Sequence, residues 1–221
     1  MVKTRKYEKI AKIGDGGFGD VYAIRHKLTG KIFALKKANS SETRLAAWIS
    51  EVKAMMKWFG HPSILKIHEY SIKFKKTPKI ISEFCPNGNL YDLIVRTRRF
   101  PDRIARALFK ELLNGLEYLH SHEVFHRDIK PENILIDANF CLKITDFGSS
   151  IGSDNSPVTF GVTLPYLAPE VYNKTSYSAS KADLFAAGII LHIMVTGCPP
   201  FKTARKRNDA NYRFLCNRAI M

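Results

Sequence analysis

Apolar residues change their spacing three times along the chain, and each change predicts a different kind of element. Tyr7–Ile13 and Val21–His26 predict strands, Leu28-Thr29-Gly30 a turn, and Lys31–Lys37 a third strand. Between Ser41 and Phe59 the period lengthens. Leu45, Ile49, Val52, Met55, Met56 and Phe59 recur every three or four residues and predict a helix. Ile64–Ile72 and Lys79–Phe84 return to strand spacing. This part of the chain predicts a small sheet with one helix.

Cys85-Pro86-Asn87-Gly88-Asn89 is turn-rich and reads as a linker. Beyond it the helical period dominates. Pro101 and Asp102 stand near the start of a helix over Phe100–His120. Its residues Ala105, Leu108, Phe109, Leu112, Leu113, Leu116 and Leu119 form one apolar stripe, a core face. Ser178–Thr196 predicts a second long helix, apolar nearly all round from Leu184 and so expected at the centre of its lobe. The organisation is α+β: a tail over 1–6, a β-rich lobe over 7–84, a linker over 85–89, and a mainly helical lobe over 90–221.

Composition narrows the setting. With 45% hydrophobic and 25% charged residues, 221 residues can bury a substantial core. The longest apolar run, Leu184–Val195, is broken by His192 and too short to span a bilayer. No apolar segment follows Met1-Val2-Lys3-Thr4-Arg5, so no secretory signal is read, and Val2 excludes N-myristoylation. Cys85, Cys141, Cys198 and Cys216 are scattered, which favours four free thiols in a reducing interior, cytoplasmic or nuclear. The net charge of +15 favours anionic partners. Its local clusters, Arg96–Arg99 and Arg205–Arg207, lack interleaved aromatics, so solvated surface charge is favoured over nucleic-acid binding.

The chemistry-bearing residues concentrate in a few stretches. His126-Arg127-Asp128-Ile129-Lys130-Pro131-Glu132-Asn133 is followed, 13 residues after Asn133, by Asp146-Phe147-Gly148. Together they offer a base, a cation and two hard oxygen ligands, a set that phosphoryl transfer from ATP requires. Gly14-Asp15-Gly16-Gly17-Phe18-Gly19-Asp20-Val21 fits G-x-G-x-x-G-x-V. A Rossmann dinucleotide loop shares the first six positions but opens a helix. Here Val21-Tyr22-Ala23-Ile24 predicts a strand, which leaves a phosphate-covering hairpin or a Gly-rich hairpin with no ligand. Phe33-Ala34-Leu35-Lys36 and Leu167-Ala168-Pro169-Glu170 complete the series.

In this order the stretches resemble the eukaryotic protein kinase family, Ser/Thr type, nearest to its calcium/calmodulin-dependent and AMP-activated-like group. The resemblance implies a bilobal protein-kinase-like fold with ATP and Mg2+ as cofactors. It makes Asp128 the base, Lys130 the γ-phosphate cation, and Lys36 with Glu51 the ion pair that holds the α- and β-phosphates. Asn133 and Asp146 would hold Mg2+. Ile13, Gly14, Gly16 and Gly19 would cover the nucleotide, and Val21, Ala34 and Leu135 would sandwich adenine. Ser82 would be the small residue guarding the adenine pocket, and Glu83 to Cys85 would offer it backbone hydrogen bonds. Phe147 would pack in line with Met55, Ile67 and a structural His126, and Asp183 would anchor the catalytic loop.

The resemblance also implies regulation and substrate preference. Thr159 falls at the family's main activating phosphosite, the target of an upstream kinase, with Arg127 as the phosphate's partner. Thr163 would contact Asp128 and Lys130, although Val162 stands where the family often has glycine. Glu132, with the apolar set Phe160, Leu164 and Leu167, implies basic peptide substrates with a hydrophobic residue after the target. The similarity covers residues 7–216 and implies further helices after Asn211–Leu215. The expectation is a C-lobe cut short, with Glu170 lacking its usual arginine and stability reduced. The expected function is Ser/Thr protein kinase. An ATP-binding pseudokinase or scaffold, or an inactive truncated fragment, are the competing readings.

Overall fold

The computed structural model describes residues 6–16, 19–38, 52, 60–73, 76–157, 164–172 and 176–218. Five strands form the N-terminal sheet: β1 (Tyr7–Gly16), β2 (Gly19–His26), β3 (Ile32–Lys37), β4 (Ile67–Lys73) and β5 (Lys76–Glu83). Their order is β1-β2-β3-β5-β4, antiparallel throughout. The strand periods read from sequence find each of them. β1 runs on to Gly16 because Gly14, Asp15 and Gly16 pair with Val21, Asp20 and Gly19 across the hairpin. The helix predicted over 41–59 lies outside the described residues except Val52, which is helical and buried in the main core.

Strand register sorts the side chains into two faces. Val21 lies opposite Lys36, Ala34 opposite both Ala23 and Ser82, and Lys36 opposite Ile80. Directly opposed residues share a face, so these six line one side of the sheet. The other side carries a small cluster of Ile24, Phe33 and Ile81, with Tyr7, Tyr22 and Leu35 packed on it.

The rest of the chain holds four helices among the described residues: α1 (Leu90–Thr97), α2 (Asp102–Ser121), α3 (Ala179–Thr196) and α4 (Ala210–Arg218). Two short two-stranded sheets, β6 (Ile134–Ile136) with β7 (Leu142–Ile144) and β8 (Asn155–Pro157) with β9 (Ser176–Ser178), complete it. Helix α1 begins directly after the predicted linker, with Asn89 as its N-cap. The Asn89 side chain accepts from the Asp92 N–H at 2.8 Å, and the helix buries Leu90 and Ile94. Helix α2 buries Ala105, Leu108, Leu112, Leu116 and Leu119, the predicted stripe.

Helix α3 corrects one expectation. Ser178 caps its start and Gly197, in the left-handed region at φ 84°, ends it. A Cβ on Gly197 would sit 2.3 Å from the Arg98 carbonyl, so shape and conformation both call for glycine. The buried side of α3 carries Asp183, Ala186, Ala187, Ile190 and Met194 and packs on α2. Leu184 is 50% exposed and Val195 is exposed too, so the helix is not buried all round. No described element covers that side. By length and composition α3 could cross a bilayer. Its buried, hydrogen-bonded carboxylate and its packing on α2 make it a core helix here.

One hydrophobic cluster runs through both parts. It joins Ile67 and Ile80 of the sheet to Phe147, Ile144 and Ile134, then to Leu112, Leu116, Leu119, Ile190 and Met194. Each such fully buried side chain contributes roughly 1.5–3 kcal/mol. The joint is reinforced by residues 61–65. Leu65 N–H donates to the Ile144 carbonyl at 3.0 Å and Ile144 N–H to the Ser63 carbonyl at 2.8 Å, while His61 stacks on Tyr118 of α2 at 4.7 Å.

Candidate active site

The catalytic loop is hung from α3. Asp183, 1% exposed, accepts from the His126 N–H at 2.8 Å on Oδ2 and from the Arg127 N–H at 2.7 Å on Oδ1. Arg127 needs that hold, because its φ of 64° is a strained, left-handed value for a residue with a Cβ. The fully buried His126 ring donates from Nε2 to the Thr145 carbonyl at 2.9 Å, and its Nδ1 accepts from the Asp128 N–H at 3.3 Å. Both nitrogens are thus spent within the loops. The ring lies 5.0 Å from that of buried Phe147.

Three polar side chains converge next to this anchor. Lys130 Nζ lies 2.7 Å from Asp128 Oδ2. Asn133, set by a single 3-10 turn over Pro131–Asn133, donates from Nδ2 to the Asp128 carbonyl at 2.8 Å and to Asp128 Oδ2 at 3.0 Å. Asp128 Oδ1 and Asn133 Oδ1 keep no partner among the described residues. From the sheet, Lys36 Nζ reaches Asp146 Oδ1 at 3.4 Å, with both side chains largely buried. Asp146 is itself left-handed, at φ 65°, immediately before Phe147. Glu51, the expected partner of Lys36, lies outside the described residues.

The donor set suits a hard cation. Asn133 Oδ1 and Asp146 Oδ2 are oxygen ligands with no described hydrogen bond. Mg2+ is ordinarily held by one or two such groups plus the substrate's phosphates. Among the described residues no cluster of three His, Cys, Asp or Glu could hold a metal. A metal would therefore depend on this pair and on phosphate oxygens.

The sheet face that carries Lys36 also carries Val21, Ala34 and Ser82, with Gly14 opposite Val21. Gly16 and Gly19 close the hairpin as a pair. Gly19 has φ 145°, and a Cβ there would lie 2.3 Å from the Lys37 carbonyl, which only glycine avoids. Ile13 is exposed at this edge, and half-buried Leu135 stands in β6. Ser82 is buried and its hydroxyl donates to the Glu83 carbonyl at 3.2 Å. The expectation of three hinge backbone positions narrows here, because the Glu83 N–H is spent on the Lys66 carbonyl at 3.0 Å. The Glu83 carbonyl and the Cys85 N–H remain, and the latter has no partner among the described residues. Burial first, then Glu83 and Asp137, pushes the Cys85 thiol up to about 12, so it is a packing group rather than a nucleophile.

Thr159, Phe160, Val162 and Thr163 lie outside the described residues. Arg127 Nε donates to the Ser149 carbonyl at 2.7 Å, and Phe125 and Ile151 exchange backbone hydrogen bonds at 3.0 Å. The catalytic loop is thereby stitched to the segment after Gly148. Leu164 is exposed. Burial first, then the charges of Glu132 and Tyr91, pushes the Tyr166 hydroxyl above its ordinary value. A cavity of about 640 Å³ is lined by Pro169, Ala204, Arg205, Lys206, Arg207, Asn208 and Tyr212. It shares no residue with the site just described.

Sequence reading passes over several supports. His120 lies 3.0 Å from Asp183. Glu83 Oε1 accepts from the Lys66 N–H at 2.8 Å and lies 3.7 Å from Lys143. No local signal marks these residues, since each partner is distant in the chain.

Comparison with known proteins agrees with this geometry. Residues 7–220 match the protein kinase domain family. CBL-interacting serine/threonine-protein kinase 3 of Arabidopsis thaliana is 36% identical over 218 residues, 94% of this chain and 49% of that protein. CBL-interacting protein kinase 11 of Oryza sativa subsp. japonica is 33% identical over 224 residues, 96% of this chain and 43% of that protein. The chain spans about half the length of the curated relatives it matches. With a match across nearly its whole length, and with the sheet, hinge and catalytic loop arranged as above, the chain belongs to the protein kinase domain family.

Proposed function

We propose that the chain transfers the γ-phosphoryl group of ATP to Ser/Thr hydroxyls of proteins. One observation carries this reading: Asp128 is held by Lys130 and Asn133 at 2.7 and 3.0 Å while Lys36 bridges from the sheet to Asp146 at 3.4 Å. Asp128 Oδ1, not engaged in these bonds, is the atom that accepts or orients the substrate hydroxyl proton, a step typically worth roughly 10²–10⁴-fold in rate. Lys130, 2.7 Å from that carboxylate, supplies positive charge beside the incoming oxygen. Lys36 orients the phosphate chain, with Glu51 as its second partner. Asn133 and Asp146 would hold Mg2+, which when bound would neutralise charge on the phosphates. Adenine lies between Val21, Ala34 and Leu135 beneath the glycine hairpin, Ile13 to Gly19, against the Glu83 carbonyl and Cys85 N–H, with Ser82 behind it.

Thr159 is the regulatory phosphosite in this reading, and Arg127 the group that receives its phosphate. Phosphorylation there by an upstream kinase raises activity. Glu132 and exposed Leu164 support basic peptide substrates with a hydrophobic residue after the target. Four free cysteines support a cytoplasmic location, with the nucleus as the second compartment.

Purified chain, Mg-ATP and a basic Ser-containing peptide test the proposal. Turnover by wild type and its loss in Asp128→Asn are expected. Equal turnover in Asp128→Asn would sink it, and a wild type that binds ATP without turnover would turn the reading to a nucleotide-binding scaffold.

A further inference from the structure

We infer that the basic cavity beside α4 docks an acidic segment of the protein substrate, downstream of the residue to be phosphorylated. This assignment rests on the kinase reading above and adds a substrate class to it. At about 640 Å³ the cavity lies within the roughly 300–1,000 Å³ of ligand pockets, room for a short stretch of peptide rather than for a lone ion. Its lining joins the apolar surfaces of Pro169, Ala204 and Tyr212 to three cations, Arg205, Lys206 and Arg207. No carboxylate of the described residues lines it. The nearest acid in the chain, Asp209, is already engaged: it accepts from the N–H groups of Lys202 at 2.8 Å, Thr203 at 3.3 Å and Tyr212 at 3.0 Å. Lys206 and Arg207 are exposed and form no ion pair among the described residues.

Two features distinguish these cations from solvated surface charge. The first is that their loop is held. Besides the Asp209 bonds, the N–H groups of Asn208 and Asp209 both donate to the Arg205 carbonyl at 3.0 Å, and Tyr212 packs edge-on to buried Phe201 at 4.9 Å. A turn fixed before binding loses little freedom when a ligand arrives. The second is where the loop sits. The Arg205 guanidinium lies 4.3 Å from the centre of the Tyr172 ring. The Tyr172 hydroxyl donates to the Leu164 carbonyl at 3.2 Å and meets the Thr203 hydroxyl at 2.8 Å. Leu164 is the exposed residue assigned above to the position after the target, and Pro169 reaches the cavity from the same stretch. A substrate with upstream basic residues at Glu132 and its next residue at Leu164 therefore brings its downstream part to the cavity. Arginine there offers carboxylates paired N–H donors. The opposite signs of Glu132 and the Arg205–Arg207 loop also set the direction of the chain, because a reversed peptide meets like charge at both ends.

The test uses the full 221-residue chain and Ser peptides that share one basic upstream part. One peptide is short, one continues downstream through a Gly/Ser spacer to an Asp/Glu run, and one carries Asn/Gln in place of that run. In wild type the acidic extension should lower peptide KM by about tenfold against the neutral one. Lys206→Glu/Arg207→Glu should abolish that gain while kcat on the short peptide, which ends before the cavity, stays within about twofold. A Lys run in the extension should then favour the variant over wild type. Arg25→Glu/Lys27→Glu, an equal charge change on the sheet, should keep the gain. Equal KM for the acidic and neutral extensions in wild type overturns the inference. So does a gain that survives Lys206→Glu/Arg207→Glu, or one that falls equally in the sheet variant, which marks general attraction to a chain of net charge +15. Fluorescence anisotropy of the labelled acidic extension reads the same contrast without turnover. An inactive wild type that binds it overturns the kinase reading alone, and an active wild type that does not bind it overturns this one.

Discussion

Asp183→Asn is a stringent test of how the catalytic loop is held, because the substitution changes two atoms and no shape. The carboxylate serves three donors: His126 N–H and His120 Nε2 on Oδ2, and Arg127 N–H on Oδ1 at 2.7 Å. Asparagine has one acceptor oxygen. Its better orientation keeps that oxygen on the two donors and turns its NH2 toward the Arg127 N–H, donor against donor. Leaving that buried N–H unpaired costs roughly 1–3 kcal/mol. The two surviving bonds lose their charge assistance, which makes such bonds about twice as strong as neutral ones. The sum is about 2–5 kcal/mol. At roughly 2–4 °C per kcal/mol for a domain of this size, Tm should fall by about 4–20 °C. Arg127, released from its φ of 64°, should take Asp128 with it, and a displacement of about 1 Å lowers kcat on the order of 10²-fold. Differential scanning fluorimetry gives the first number and a coupled kinase assay the second. A variant whose Tm lies within about 2 °C of wild type, with kcat retained, would refute the account of Asp183 as the anchor.

Three further outcomes follow from other parts of the structure. Gly19→Ala places a Cβ against the Lys37 carbonyl at φ 145°, so the hairpin tip must move and KM for ATP should rise by roughly tenfold; an unchanged KM would mean that the tip does not cover the nucleotide. Ser82 is small and buried, so bulky ATP-competitive inhibitors should bind well and Ser82→Met should weaken them by at least about tenfold, read by competition binding; equal affinity would place the adenine site elsewhere. Burial pulls Asp154 up, but hydrogen bonds from Ser180 and Ser178, aided by His120, outweigh it and hold its carboxyl below the usual range. A depressed carboxyl stabilises the fold above its unfolded pKa of about 3.9 and loses that stabilisation as pH falls through the folded value. The Tm gap between wild type and Asp154→Asn should therefore be full at pH 6 and close toward pH 3 (values on the order of the carboxylate range). A constant gap across that range would contradict the assignment.

Much of this protein could be read from spacing alone. Strand periods found all five strands of the N-terminal sheet, and the stripe from Ala105 to Leu119 found the buried side of α2. Both are local patterns that one face of one element must satisfy. Helix α1 was passed over because Cys85–Asn89 looks like a turn, although Asn89 and Asp92 form an N-cap pair ahead of Leu90, Leu93 and Ile94. The all-round burial read for α3 failed at Leu184 and Val195, since an apolar pattern cannot say which neighbours arrive to cover it.

For the site, the sequence by itself determined the cast. Order and spacing of the glycine hairpin, Lys36, the Asp128 loop and Asp146 were enough to point to the family, because covalent spacing is local and survives without a structure. Tertiary structure alone decided how the cast is held. Asp183 reaches back over 57 residues to His126, His120 joins it across 63, and Lys36 meets Asp146 across 110. Contacts at such separations depend on how α2, α3 and the sheet pack around one core, and no window of neighbouring residues contains that information.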